Sequence, residues 1–198
     1  MIQPTSDYLK PITFLVIDNK AYMRRMMKNV LETLGAKRIE EARDGADGLA
    51  AVKGLEPDIV LTGWRMKPVS GLDFLKAMRA QQSPVRFTPI IMITSETRRE
   101  KVIEARNAGV TEYIAMPITA KAVFLRIREV IERPRPFVDI GVYFGPDRRR
   151  RAVAVETADD ERRGKGTPRE EEPQKDSGDA LSQSEIDRLV AGGDIADD

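Results

Sequence analysis

Along residues 12–132, short apolar runs alternate with segments in which apolar residues return every three or four positions. The runs at 12–17, 58–62 and 89–94 are rich in β-branched residues and nearly continuous in apolarity, the pattern of strands covered on both faces. Weaker runs at 37–42 and 111–115 bring the set to five. Between them Tyr22, Met26, Val30 and Leu34 recur at helical spacing, as do Leu72, Leu75 and Met78. Such alternation predicts an α/β domain on a doubly wound, five-stranded parallel sheet, with its site at the carboxyl ends of the strands. Asp18, Asn19, Gly63, Thr94 and Met116 all fall at such ends.

Beyond this domain the pattern changes twice. Pro134 and Pro136 stop the last helix near Arg133. Phe137 to Phe144 (FVDIGVYF) is apolar and aromatic, and is expected to lie back on the domain as an extended strap ended by the Gly145-Pro146 turn signal. Arg148, Arg149, Arg150 and Arg151 follow as an uninterrupted cationic run. Residues 152–179 are dominated by Glu, Asp, Arg, Gly and Pro, the composition of a disordered linker.

Order returns at Asp179 to Gly193 (DALSQSEIDRLVAGG). Ser182 and Glu185 have the spacing of a capping box, and Leu181 and Ile186 that of a hydrophobic staple. Ile186, Leu189 and Val190 share one apolar face, and Gly192 with Gly193 ends the helix. So short a helix is marginal alone in water and needs a groove to dock in. The organisation expected is an N-terminal extension (1–11), a domain (12–133), an aromatic and Arg-rich extension (134–151), a disordered linker (152–179) and a short amphipathic helix (180–193).

Composition narrows the chemistry. The chain of 198 residues has no cysteine and no histidine, which removes thiolate metal sites, disulfides and the commonest general base. No apolar run approaches a membrane span, and no basic-then-apolar leader opens the chain. A cytoplasmic protein with no cofactor, no metal, no membrane partner and no enzymatic activity is the expectation. The near-zero net charge hides an asymmetry: residues 1–146 carry 23 Lys/Arg against 17 Asp/Glu, and residues 147–198 carry 10 against 15. Opposite charges on the two parts favour their meeting.

The run Asp58 to Leu72 (DIVLTGWRMKPVSGL) resembles the phospho-acceptor segment of response-regulator receiver domains, of the chemotaxis single-domain type. Three more segments carry the same resemblance at the spacing the fold needs: Phe14 to Asn19 (FLVIDN), Ile90 to Ser95 (IIMITS) and Tyr113 to Pro117 (YIAMP). The resemblance implies a flavodoxin-like receiver fold with strand order 2-1-3-4-5. It also implies that Gly63 holds the position of the phosphorylated aspartate, Asn19 that of the second pocket acid beside Asp18, and Met116 that of the lysine. Phosphoryl transfer needs a carboxylate nucleophile, a magnesium ion and a cation to hold the product. Magnesium prefers one or two carboxylates with water and phosphate oxygens, and Asp18 stands beside a neutral neighbour. Thr62 is no substitute nucleophile, because successive strand residues point to opposite faces. Phosphorylation and tight magnesium binding are therefore expected to be absent.

Thr94 and Tyr113 resemble the pair through which receivers couple the pocket to an output face on the fourth helix, fifth strand and fifth helix. Leu181 to Val190 (LSQSEIDRLV) resembles the N-terminal peptide of the flagellar motor switch protein, which captures an activated chemotaxis receiver. On this chain's own output face Arg98, Arg99, Lys101, Lys121 and Arg128 are expected to meet Glu185 and Asp187. The partners implied are the chain's own domain through the tail helix, a chemotaxis receiver, or the motor switch protein. The function expected is that of a non-phosphorylatable receiver-like adaptor in two-component or chemotaxis signalling. The alternative is a cyclic dinucleotide bound by Arg148 to Arg151, since arginine forks suit phosphate. No helix-turn-helix follows the domain, so DNA is not an expected partner.

Overall fold

In the computed structural model, which describes residues 8–82, 84–148 and 180–192, the five expected strands form, four of them largely buried and one, at Arg38–Ala42, mostly exposed. They are β1 (Thr13–Ile17), β2 (Arg38–Ala42), β3 (Ile59–Gly63), β4 (Ile90–Thr94) and β5 (Glu112–Ala115). All pair in parallel in the order β2-β1-β3-β4-β5. Between them run α1 (Ala21–Thr33), α2 (Gly45–Leu55), α3 (Gly71–Ala80) and α4 (Arg99–Asn107), and α5 (Ala120–Glu132) follows β5. Local chemistry starts three of these helices: Asp44 accepts from the Ala46 and Asp47 amides, Ser70 from Asp73, and Thr119 from Ala122.

The two-residue period of the strands divides the core into two layers. Phe14, Val16, Leu61, Ile91, Ile93 and Ile114 face α1 and α5. Leu15, Ile17, Val60, Met92 and Tyr113 face α2, α3 and α4. Leu9, in the segment set apart as an N-terminal extension, is fully buried in the first layer.

Two expectations are corrected. On α1 the buried side chains are Met23, Met27 and Leu31, whereas Tyr22 is 63% and Met26 38% exposed. Two adjacent stripes of this helix are apolar at the same period, and packing on the sheet and on α5 selects between them. The strap is a hairpin, β6 (Phe137–Asp139) paired antiparallel with β7 (Phe144–Pro146). Gly141 turns it at φ 80°. Phe87, Phe137 and Phe144 meet with ring centroids 5.3–5.5 Å apart, and the Arg86 guanidinium lies 3.5 Å from the Phe144 centroid.

A final helix, α6 (Gln183–Val190), packs on α4 and β5. It carries the expected capping box, with Ser182 and Glu185 serving each other's backbone amides. No described helix is long and apolar enough to cross a membrane.

Candidate functional site

The register places Ile17 beside Thr62, Gly63 beside Ile93, and Thr94 beside Ala115, so Asp18, Gly63, Thr94 and Met116 collect at one edge of the sheet. Gly63 closes β3 against Asp18: a Cβ built on it would fall on the Asp18 Oδ2. Gly71, opening α3, comes so near the Gly63 carbonyl that any side chain there would collide with it. The place of a side chain on Gly63 is thus taken by the Asp18 carboxylate.

Asp18 is buried, and its Oδ1 accepts the Lys20 amide at 2.8 Å. Burial pushes its carboxyl above the ordinary carboxylate range, against the Lys20 hydrogen bond and the charges of Lys20 and Arg24. Asn19 is exposed beside it, and the Met116 thioether packs into the apolar layer under α1 and α5. Thr62 turns its hydroxyl onto the Gly63 carbonyl at 3.1 Å and is fully buried. At this edge Asp18 is the one residue of the set that offers a carboxylate. No group of three metal-ligating side chains occurs among the described residues.

The second region is the face formed by α4, β5 and α5. Ile186, Leu189 and Val190 are buried against Val102, Ala105 and Tyr113, and Leu181 packs at their margin. Full burial of each large apolar side chain contributes roughly 1.5–3 kcal/mol before ordering costs. The free edge of β5 is closed by one side chain. Gln183 Oε1 accepts the Ala115 amide at 2.7 Å, and its Nε2 donates to the Tyr113 carbonyl at 2.9 Å. That same Nε2 also donates to Asp187 Oδ1 at 2.8 Å. At the other end of α6, Arg106 and Arg135 donate to the Leu189 and Val190 carbonyls, each at 3.2 Å, satisfying groups that helix ends leave unpaired.

The cations expected at this face are placed differently. Asp187 pairs with Arg126, which also lies 3.7 Å from the buried Glu112. Glu185 serves its own cap, and its carboxyl is lowered by the Ser182 hydrogen bonds. Lys101 pairs with Glu104, Arg128 with Glu132, and Lys121 is exposed. Arg98 forms an isolated bridge with Ala180, beside the Leu181 amide donating to Thr97 O at 2.9 Å. Arg99 opens α4. Gln183 and Arg126 were not singled out from the sequence. The available signal was the Gln183–Asp187 pair, four residues apart on one flank of the apolar stripe.

Thr94 and Tyr113 are both buried, and both hold the backbone of Glu96. Thr94 Oγ1 accepts the Glu96 amide at 3.0 Å, and the Tyr113 hydroxyl donates to the Glu96 carbonyl. Burial, then the Glu96 charge, pushes the Tyr113 phenol up. Of the arginine run, Arg148 stacks on Tyr143 at 3.8 Å from the ring centroid. Arg149, Arg150 and Arg151, like the linker expected at 152–179, lie outside the described residues.

A doubly wound sheet of this order, with an acid, a hydroxyl residue and a buried tyrosine gathered at its carboxyl edge, defines a receiver-type signalling domain. Residues 14–128 match the response regulator receiver domain, and the chain belongs to that family. It is 39% identical over 124 residues to chemotaxis protein CheY-3 of Vibrio cholerae serotype O1, covering 63% of this chain and 95% of that protein. It is 36% identical over 119 residues to chemotaxis protein CheY of Pseudomonas aeruginosa, covering 60% and 95%. A high-resolution structure of the Vibrio cholerae chemotaxis protein CheY4 superposes with a TM-score of 0.56 at 30% identity, covering 60% of this chain and 98% of that one.

Proposed function

We propose that this protein is a receiver-like adaptor in chemotaxis-type two-component signalling, which takes no part in phosphoryl transfer and whose output face is held by its own tail helix until a partner displaces it. The observation that carries this reading is the seat of α6: three buried apolar side chains, the Gln183 clasp on the β5 edge and the Asp187–Arg126 pair. Gly63 and Met116 at the places of the acceptor and the lysine support the loss of phosphorylation. The relatives, named as chemotaxis proteins, support the pathway. The partner that opens the tail is one with a competing helix or a competing groove: the motor switch protein or an activated chemotaxis receiver. Tethering raises the tail's effective concentration toward the millimolar range, so displacement requires a tight or abundant partner.

The test is a fluorescence-anisotropy titration of a labelled peptide spanning residues 178–194 against three proteins. These are the full chain, the full chain carrying Ile186→Asp, and an activated chemotaxis receiver. A closed adaptor leaves the peptide unbound by the native chain and bound by the variant. Binding to the activated receiver identifies it as the opening partner. Equal, saturable binding to native and variant chains refutes self-occupancy. Failure of a phosphoramidate donor to add mass to the native chain is the accompanying expectation, and stoichiometric labelling refutes the second half of the reading.

A further inference from the structure

Glu96 is the point where the two regions join. Its backbone is pinned at both polar groups, by Thr94 and Tyr113. Its side chain receives two guanidinium groups: Arg65 on Oε1, and Arg98 on Oε2 at 2.8 Å. Arg65 lies in the β3–α3 loop, two residues after Gly63. Arg98 forms the bridge with Ala180, the first described residue of the tail. One carboxylate therefore ties the rim of the degenerate pocket, the β4–α4 loop and the start of the docked tail.

The energetics favour a fixed strut over an ornamental surface pair. The Glu96 side chain is only 9% exposed, although Arg65 is 75% exposed. A carboxylate so placed needs its partners, because leaving it unpaired under α4 carries a desolvation penalty. Its carboxyl is held below the ordinary glutamate range, first by the Arg98 hydrogen bond and then, against desolvation, by the Arg65 charge. If Arg65 is removed, Glu96 retains Arg98 alone, and the carboxylate is drawn toward solvent and toward the tail junction.

We infer that Arg65 is a positioning residue for tail docking: acting through Glu96, it fixes the β4–α4 loop where α6 needs it. The inference rests on the reading that α6 occupies its own output face. It locates the control of that face on the pocket rim, in a residue of the loop that follows the lost acceptor.

The experiment is amide hydrogen exchange of the full chain, read at residues 183–190 and 94–98, together with fluorescence of Trp64, the protein's single tryptophan. Trp64 is buried between Gly63 and Arg65, with Lys101 5.7 Å above its ring. Arg65→Ala is expected to speed exchange about five-fold in both segments, the scale of a partly exposed ion pair, and to shift Trp64 emission. Arg65→Lys restores most of the protection. Glu96→Gln speeds exchange in the same two segments. Arg126→Ala, which cuts a tail contact directly, speeds exchange at 183–190 and leaves 94–98 and Trp64 unchanged. Native-like protection of the tail in both Arg65→Ala and Glu96→Gln overturns the inference and leaves the proposed function standing. A native chain whose residues 183–190 exchange as fast as the free peptide overturns both.

Discussion

The carboxyl-edge pocket and the face over β5 are built on the same strands, yet they are furnished differently. In the pocket Asp18 is the one buried acid, and its Oδ2 stands where a side chain on Gly63 would begin. On the output face every class of contact is present: apolar burial, an edge-strand clasp, an ion pair and arginines on the helix carbonyls. On the proposed reading, docking chemistry is kept without phosphorylation chemistry, and the two regions meet at Glu96.

That contrast is broken most severely at the tail. Ile186→Ala leaves a cavity at a fully buried position and should cost about 2–4 kcal/mol of docking, measured as exposure of residues 183–190 to exchange. The domain should keep its circular dichroism.

The second largest effect probes the pocket. Gly63→Asp puts a side chain on the Asp18 carboxylate and a like charge beside a buried one, and is expected to destabilise the fold by about 1–3 kcal/mol in urea titration. Intact-mass measurement after incubation with phosphoramidate should show no stable adduct, since Met116 still holds the place of the cation. A labelled variant would show that the pocket has lost a single residue and not a whole chemistry.

Gln183→Ala should weaken docking roughly ten-fold, because it leaves the Ala115 amide and the Tyr113 carbonyl without their side-chain partner. Anisotropy of the corresponding peptide against the tail-released chain measures it.

The pH response sharpens the comparison because the two regions differ in sign. Glu96 titrates below its ordinary 4.5, so its contribution is complete above that value and is lost as pH falls through the lower, folded one. Asp18 titrates above its ordinary 3.8, so its contribution is present in acid and lost as pH rises through the higher, folded value. Acidification from pH 7 should therefore release residues 183–190 to exchange while relieving the strain of charge at Asp18. The smallest effect follows from the latter. Asp18→Asn keeps an acceptor for the Lys20 amide and removes the buried charge, raising the melting temperature at pH 7 by roughly 2 °C.

β1, β3 and β4 were legible because continuous buried runs fix strand limits, whereas β2, exposed at most positions, left only a weak run. The apolar face of α6 was legible too, since a capping box sets the phase of a helix from its first residue. What escaped depends on neighbours. α1 carries two apolar stripes of equal period, and packing chose Met23, Met27 and Leu31. The partner of Asp187 is the half-buried Arg126 in place of the exposed Lys121. Gln183 bonds to main chain, and main-chain edges leave no mark in the sequence. Phe137 to Phe144, expected as an extended strap, folds into a hairpin that turns at Gly141 with a left-handed φ.

Gly192, just past α6, packs so closely on the Arg148 carbonyl that the end of the hairpin and the end of the tail are neighbours. Arg148 and Ala180, the described residues on either side of residues 149–179, thus stand about one length of an eight-residue helix apart, ~12 Å. Lengthening a connection between two such fixed ends is cheap, about 0.6 kcal/mol for each doubling. The protein consequently has a built-in insertion port: a fluorophore, a recognition tag or an entire folded domain placed there should leave the latch shut, making its opening by a partner directly visible.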